Sequence, residues 1–163
     1  MNSGAGQLFG EGVRKSQTGD SLRYNILAAT LIANLVKNSL GPCGLEKMYI
    51  DIMGEITVTK DGSAILRKID VEHPAAKILI DAANTVDNEV GDGTTTVVIL
   101  AGTLLSRAQE LLMVGVAPSI IIDGYTIALE IALQTLARIS VLSSSINIET
   151  MHRLAETCLK SKS

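Results

Sequence analysis

From Leu22 to Ser140, small aliphatic residues recur at three- and four-residue spacing, and the recurrence stops only where Gly or Pro stands. That spacing puts apolar side chains on one face of an α-helix, so most of the chain is committed to helices packed on one another. Leu22, Ile26, Ala29, Ala33, Val36 and Leu40 form the first stripe, with Arg23, Thr30, Asn34 and Lys37 opposite. Asp20 or Ser21 serves as its N-cap, and Gly41-Pro42 ends it. The core must be aliphatic, because the chain has no Trp, a single Phe and only 2% aromatics. Hydrophobic residues still make up 47% of it, which excludes disorder of the whole.

The remaining elements follow from the same signals. Met48–Ile52 and Glu55–Thr59 are β-prone runs flanking Met53-Gly54, a hairpin pattern. Asp61 and Ser63 stand where a helix holding Ala64, Ile65, Leu66 and Ile69 can start. Pro74 opens another, with Ile78, Leu79, Ala82 and Val86 inside, broken at Gly91-Asp92-Gly93. Val97, Val98, Ala101, Leu104, Leu105, Ala108, Leu111 and Leu112 line a long helix ended by Gly115. Pro118 opens the next, to about Ser140; residues 143–145 read as a loop and 148–160 as a last helix. Residues 1–20, rich in Gly, Ser and charge, read as a mobile tail with room for one short strand. The fold class is mainly α with a small β-hairpin. Strand and helix do not alternate regularly, which excludes a complete doubly wound sheet.

Charge and composition narrow the function. A net charge of −3 with no run of Lys or Arg argues against a nucleic-acid partner. Gly102-Thr103 in one apolar stretch, and Asp123 and Glu130 in another, are breaks that argue against a membrane span. The N-terminus carries no apolar signal region. Cys43 and Cys158 lie far apart, which fits a reduced cytosolic setting rather than a disulfide framework. Together with His73 and His152 they lack any ligand spacing, so no zinc site is expected. His73 before Pro74 reads as part of a helix start, and Arg107 with Glu110 as a solvated helix face.

Three glycine-containing breaks carry the chemistry: Ser39-Leu-Gly-Pro-Cys-Gly44, Thr59-Lys-Asp-Gly62 and Gly91-Asp-Gly-Thr-Thr-Thr96. In the third, a Gly–Asp–Gly turn frees backbone N–H groups, three threonines add hydroxyls, and a helix points its positive end at the same place. Asp92 would repel a bare phosphate, so its presence there points to a bridging Mg²⁺, which takes only one or two protein carboxylates. Each break has a plainer reading too: Asp-Gly-Thr is ordinary N-cap chemistry, SLGPCG a helix stop, TKDG a turn. None is a Walker A loop, because GPCGLEK lacks the GxxxxGK[ST] spacing.

Taken together, SLGPCGLEKM, ITVTKDGSAIL, VEHPAAKIL and NEVGDGTTTVV resemble, in order and spacing, the group II chaperonins, the family of the eukaryotic cytosolic chaperonin. The resemblance runs from about Phe9 through LAETCLKSK and is nearest to alpha-type subunits in FGEGVRKSQTGDSLRYNILAA and SLGPCGLEKM. It implies the N-terminal half of an equatorial, ATP-binding domain over residues 21–145. Residues 146–163 would start an intermediate domain. It implies a cytoplasmic ATPase that assists protein folding, with ATP and Mg²⁺ as ligands and other subunits of a double ring and unfolded client proteins as partners. Leu40, Gly41 and Pro42 would line the nucleotide site, and Gly91, Gly93, Thr94, Thr95 and Thr96 would cradle phosphate. Asp92 would ligate Mg²⁺, and Asp61 would orient the attacking water. Two departures stand out. Lys60 replaces the Asn usual in group II and matches the bacterial relatives, where the Lys meets phosphate; Ala117-Pro118-Ser119 replaces His-Pro-Thr. The apical domain, the second equatorial half and a carboxylate acting with Asp61 would lie beyond Ser163. A non-hydrolysing scaffold or docking piece, and a plain helical adaptor, are the alternatives; the adaptor leaves GDGTTT unexplained.

Overall fold

The computed structural model describes residues 18–41, 43–51, 53–141 and 146–162. The tail ahead of residue 18, Pro42, Ile52, the loop at 143–145 and Ser163 lie outside the described residues. The described elements are α1 (Thr18–Lys37), β1 (Lys47–Ile50), β2 (Ile56–Thr59), α2 (Gly62–Lys68), α3 (Pro74–Val90), α4 (Thr94–Met113), α5 (Pro118–Ile139) and α6 (Ile148–Lys162).

The core lies where α1, α3 and α4 meet. Ala29, Ile32, Ala33 and Val36 of α1 pack with Ala76, Leu79 and Ala83 of α3, Val98 of α4, and Ile65 and Leu66 of α2. Small residues let these helices come close. At Gly102 an added Cβ would stand 2.2 Å from the Cβ of Ala33, so α1 and α4 cross with almost nothing between them. Gly102 is therefore a packing position, not the break the sequence suggested.

Several boundaries and faces differ from expectation. Helix α1 already runs at Thr18, which places Asp20 and Ser21 inside its first turns. It ends at Lys37, before Gly41: Ser39 N and Oγ both donate to Val36 O, at 3.0 and 2.7 Å, and tighten the exit. Leu22 and Leu40, at the ends of the expected stripe, are exposed, while Ile32 joins the buried face. In α3 the inward stripe is Ala76, Leu79 and Ala83, which turns Ile78 and Ala82 outward. Leu104 and Leu111 of α4 are exposed for the same reason, because the α1 crossing selects Val98, Gly102 and Ala108.

Local caps follow the sequence closely. His73 Nδ1 accepts from Ala75 N at 3.3 Å and caps α3, followed by Pro74 in its first turn. The hairpin pairs Lys47 with Thr59 and Ile50 with Ile56. Its turn is shorter in strand and longer in loop than the runs suggested. Asp51 Oδ1 accepts from Met53 N and Glu55 N, both at 2.8 Å, and converts Asp51 into a turn residue. Arg107 and Glu110 form an exposed ion pair at 2.9 Å.

Much apolar surface stays uncovered. On the hairpin, Met48, Ile50, Ile56 and Val58 share the exposed face. Helix α5 buries only Ile121 and docks on α4 through Tyr125, whose hydroxyl donates to Leu104 O at 2.6 Å. Both α4 and α5 are long and apolar enough to cross a bilayer by length and composition. The polar residues seen as breaks are too few to lower either helix below that threshold, although α4 is in fact seated against α1 and α3.

Candidate functional site

Helix ends converge on one concavity. Its wall is formed by Ser39, Leu40 and Gly41 after α1, Lys60, Asp61 and Gly62 at the entry to α2, Asp87 and Gly91 at the exit of α3, and Asp92 through Thr96 at the entry to α4. Three segments separated by about 20 and 25 residues of chain thus reach one place. Every candidate residue that the sequence singled out lines it, Pro42 excepted, which lies outside the described residues.

The α3–α4 connection is built by two glycines. Gly91 caps α3 at φ +75° and Gly93 precedes α4 at φ +81°, a left-handed backbone that L side chains adopt at a cost. Between them Asp92 Oδ1 accepts from Gly93 N at 2.8 Å, and the carboxylate remains exposed. Helix α4 then starts without a side-chain cap. Its first intrahelical bond runs from Val97 N to Gly93 O at 3.0 Å. The amides of Thr94, Thr95 and Thr96 thus have no carbonyl of their own helix to meet; they lie at the positive end of the helix dipole, and all three residues line the concavity. Thr94 is buried, Thr95 half-buried and Thr96 exposed.

The facing wall is the start of α2. Asp61 caps that helix: its carboxylate accepts from Ser63 N at 3.2 Å and from Ser63 Oγ at 3.1 Å, and its own N–H donates to Thr59 Oγ1 at 3.1 Å. Ser63 thus holds both carboxylate oxygens and Thr59 holds the Asp61 backbone, while the residue remains exposed. Next to it Gly62 is in contact with α4. A Cβ at Gly62 would lie 1.9 Å from Thr95 Oγ1 and 3.0 Å from Thr95 Cβ, so only glycine lets the two helix starts approach this closely. Lys60 is half-buried in the same wall and supplies a cation. On the third side Gly44 brings the loop back on itself, with Gly44 N bonded to Gly41 O at 2.9 Å and Leu45 N to Asn38 O at 2.8 Å.

The concavity therefore combines an uncapped helix N-terminus and a lysine, which suit an anion, with exposed carboxylates, which suit a cation. An anion and a hard cation bound together satisfy both halves; either alone leaves the other repelled. Among the described residues no group of three His, Cys, Asp or Glu could hold a metal by itself. The oxygen-only donor set fits Mg²⁺, which keeps most of its waters and shares its remaining positions with phosphate oxygens.

Of the lining residues, Ser39 and Gly62 fall inside the named breaks but had no role assigned, and Asp87 was missed altogether. Gly62 was visible as the last residue of TKDG, but only the contact with Thr95 gives it a role. Asp87 lies one helical turn before Gly91, whose N–H donates to Asp87 O at 2.9 Å, and that spacing was the available signal.

Comparison with known proteins identifies the family. Residues 32–163 match the TCP-1/cpn60 chaperonin family. The chain is 48% identical over 155 residues to thermosome subunit beta of Archaeoglobus fulgidus, covering 95% of this chain and 28% of that protein. It is 47% identical over 161 residues to thermosome subunit alpha of Sulfolobus acidocaldarius, covering 95% of this chain and 29% of that protein. Thermosome subunit alpha of Aeropyrum pernix is 47% identical over 155 residues, with 28% of its length covered. The chain thus spans less than a third of the length of the curated relatives it matches. With a family match over most of its residues, the chain belongs to the TCP-1/cpn60 chaperonins, in their group II, thermosome-like branch.

Proposed function

We propose that this chain is the nucleotide-binding part of a chaperonin subunit, and that the concavity takes ATP with Mg²⁺. The observation that supports the reading is the convergence of three separate glycine breaks on one uncapped helix start. Thr94, Thr95 and Thr96 would hold phosphate oxygens through their free amides, and Lys60 would add a positive charge. Leu40 and Gly41 would line the nucleotide with their own loop, and the family resemblance adds Pro42. Asp92 would hold Mg²⁺, whose chemistry is to neutralise charge on the transferring phosphate. Asp61, oriented by Ser63 and Thr59, would hold the attacking water in line. Positioning and charge stabilisation are most of what phosphoryl transfer requires.

In this reading residues 21–145 are the first segment of an equatorial domain and residues 146–163 the entry to an intermediate domain. The activity belongs to a cytoplasmic double ring that encloses unfolded proteins. The exposed apolar faces of the hairpin and of α5 support it, since surface of that extent calls for further protein to cover it. Subunit type, with the alpha type favoured by the N-terminal stretch, belongs to the same proposal.

The test is equilibrium binding of labelled ATP with and without Mg²⁺, together with steady-state hydrolysis by the full-length protein. Asp92→Ala should lower turnover by orders of magnitude. Near-normal turnover would reduce Asp92 to a turn residue that only holds Gly93 N. Tight binding without turnover in the unsubstituted full-length protein would favour the docking alternative.

A further inference from the structure

One interaction at the rim of the site has no part in the roles assigned above. Arg67, in the last turn of α2, donates through Nη2 to Asp87 Oδ2 of α3. The Asp87 side chain is 21% exposed and lines the concavity, while that of Arg67 is 56% exposed. A half-exposed ion pair contributes little to stability by itself. Its location gives it a different use.

Helix α2 has seven residues and carries Asp61 at its N-cap. A helix so short does not hold its place by its own hydrogen bonds. Ile65 and Leu66 anchor it in the core, but apolar packing has no direction and does not fix its slide along α3. The Arg67–Asp87 pair is directional. Asp87 also holds the other half of the site, because its carbonyl accepts from Gly91 N and so closes the turn that leads to Asp92. One residue thus grips the Asp61 helix with its side chain and the Asp92 turn with its backbone. The contact at Gly62 leaves no slack between them, so a small slide of α2 presses on Thr95 or withdraws from it.

We propose that Arg67 and Asp87 are a positioning pair that sets the distance from the Asp61 carboxylate to the Asp92–Thr96 turn. The proposal rests on the nucleotide reading of the site. Neither residue needs to touch the nucleotide. Losing the pair leaves the phosphate cradle intact and misplaces Asp61, so it affects the rate of the chemical step rather than affinity.

The experiment measures kcat, KM and ATP affinity of the full-length protein carrying Arg67→Gln, Asp87→Asn or Arg67→Lys, with Asp61→Asn as the reference for a lost catalytic group. Arg67→Gln and Asp87→Asn should each lower kcat roughly tenfold, less than the roughly hundredfold loss that a full 1 Å misplacement can bring, with affinity and thermal unfolding unchanged. Arg67→Lys, which keeps a cation in reach of Asp87, should recover most of the rate. Unchanged kcat in both neutral variants, beside an inactive Asp61→Asn, would overturn the proposal and leave the site reading standing. A loss of affinity in Arg67→Gln that disappears in Arg67→Gln/Asp87→Asn would also overturn it, by showing that Arg67 only masks the Asp87 charge. Failure of the unsubstituted protein to bind ATP would instead overturn the site reading.

Discussion

The crossing of α1 and α4 at Ala33 and Gly102 allows a quantitative test. Gly102→Ala would normally stabilise a helix by about 1 kcal/mol, because glycine is a poor helix former. Here the new methyl would sit 2.2 Å from the Ala33 Cβ. Carbon atoms prefer about 3.5–4.0 Å, so the helices must part by roughly 1.5 Å at this point. Overpacking of that kind costs about 1–3 kcal/mol, so the substitution should be neutral at best and destabilise by up to about 2 kcal/mol. Ala33→Gly alone should lose about 1 kcal/mol of helix propensity. The double substitution moves the one methyl from α1 to α4 and relieves the clash. It should lie within about 1 kcal/mol of the starting protein, with a coupling energy of about 1–3 kcal/mol. Urea unfolding of the four proteins, followed by circular dichroism, measures each term. A Gly102→Ala protein that is about 1 kcal/mol more stable, with an additive cycle, would refute the close crossing. The same displacement should reach the site, because Thr94 begins the helix two turns before Gly102.

The remaining expectations concern the site and the uncovered surface. Lys60→Asn should weaken ATP binding at low ionic strength, by a factor that shrinks as salt rises; affinity unchanged at low salt would place the ammonium in solvent. Gly62→Ala should impair nucleotide binding by displacing Thr95, and calorimetric titration showing unaltered affinity would mean that the Thr95 side chain simply rotates away. The 163-residue chain in isolation should self-associate through the exposed faces of the hairpin and α5 and hydrolyse ATP negligibly. Sedimentation as a stable monomer with turnover like that of an intact subunit would contradict this.

What the sequence by itself determined is what short-range physics controls. The Asp61 cap, the His73-Pro74 helix start, the Gly91 and Gly93 turns and the hairpin around Asp51 to Glu55 all form between residues a few positions apart. Their side chains and φ angles act on their own backbone, so the motif is enough to read them. The three glycine breaks could be recognised as one set through family resemblance, although nothing in their separate spacing brings them together. Which face of each helix turned inward was decided only by tertiary structure. Helices made of Leu, Ile, Val and Ala on nearly every side offer more than one plausible stripe, and the neighbour selects among them. Thus Ala83 is buried where Ala82 was expected, and Leu104 yields to Gly102. The same holds for contacts between distant segments. Gly62 against Thr95 and Arg67 with Asp87 join residues 33 and 20 positions apart, and no local pattern distinguishes a glycine that makes room for another helix from one that merely turns the chain.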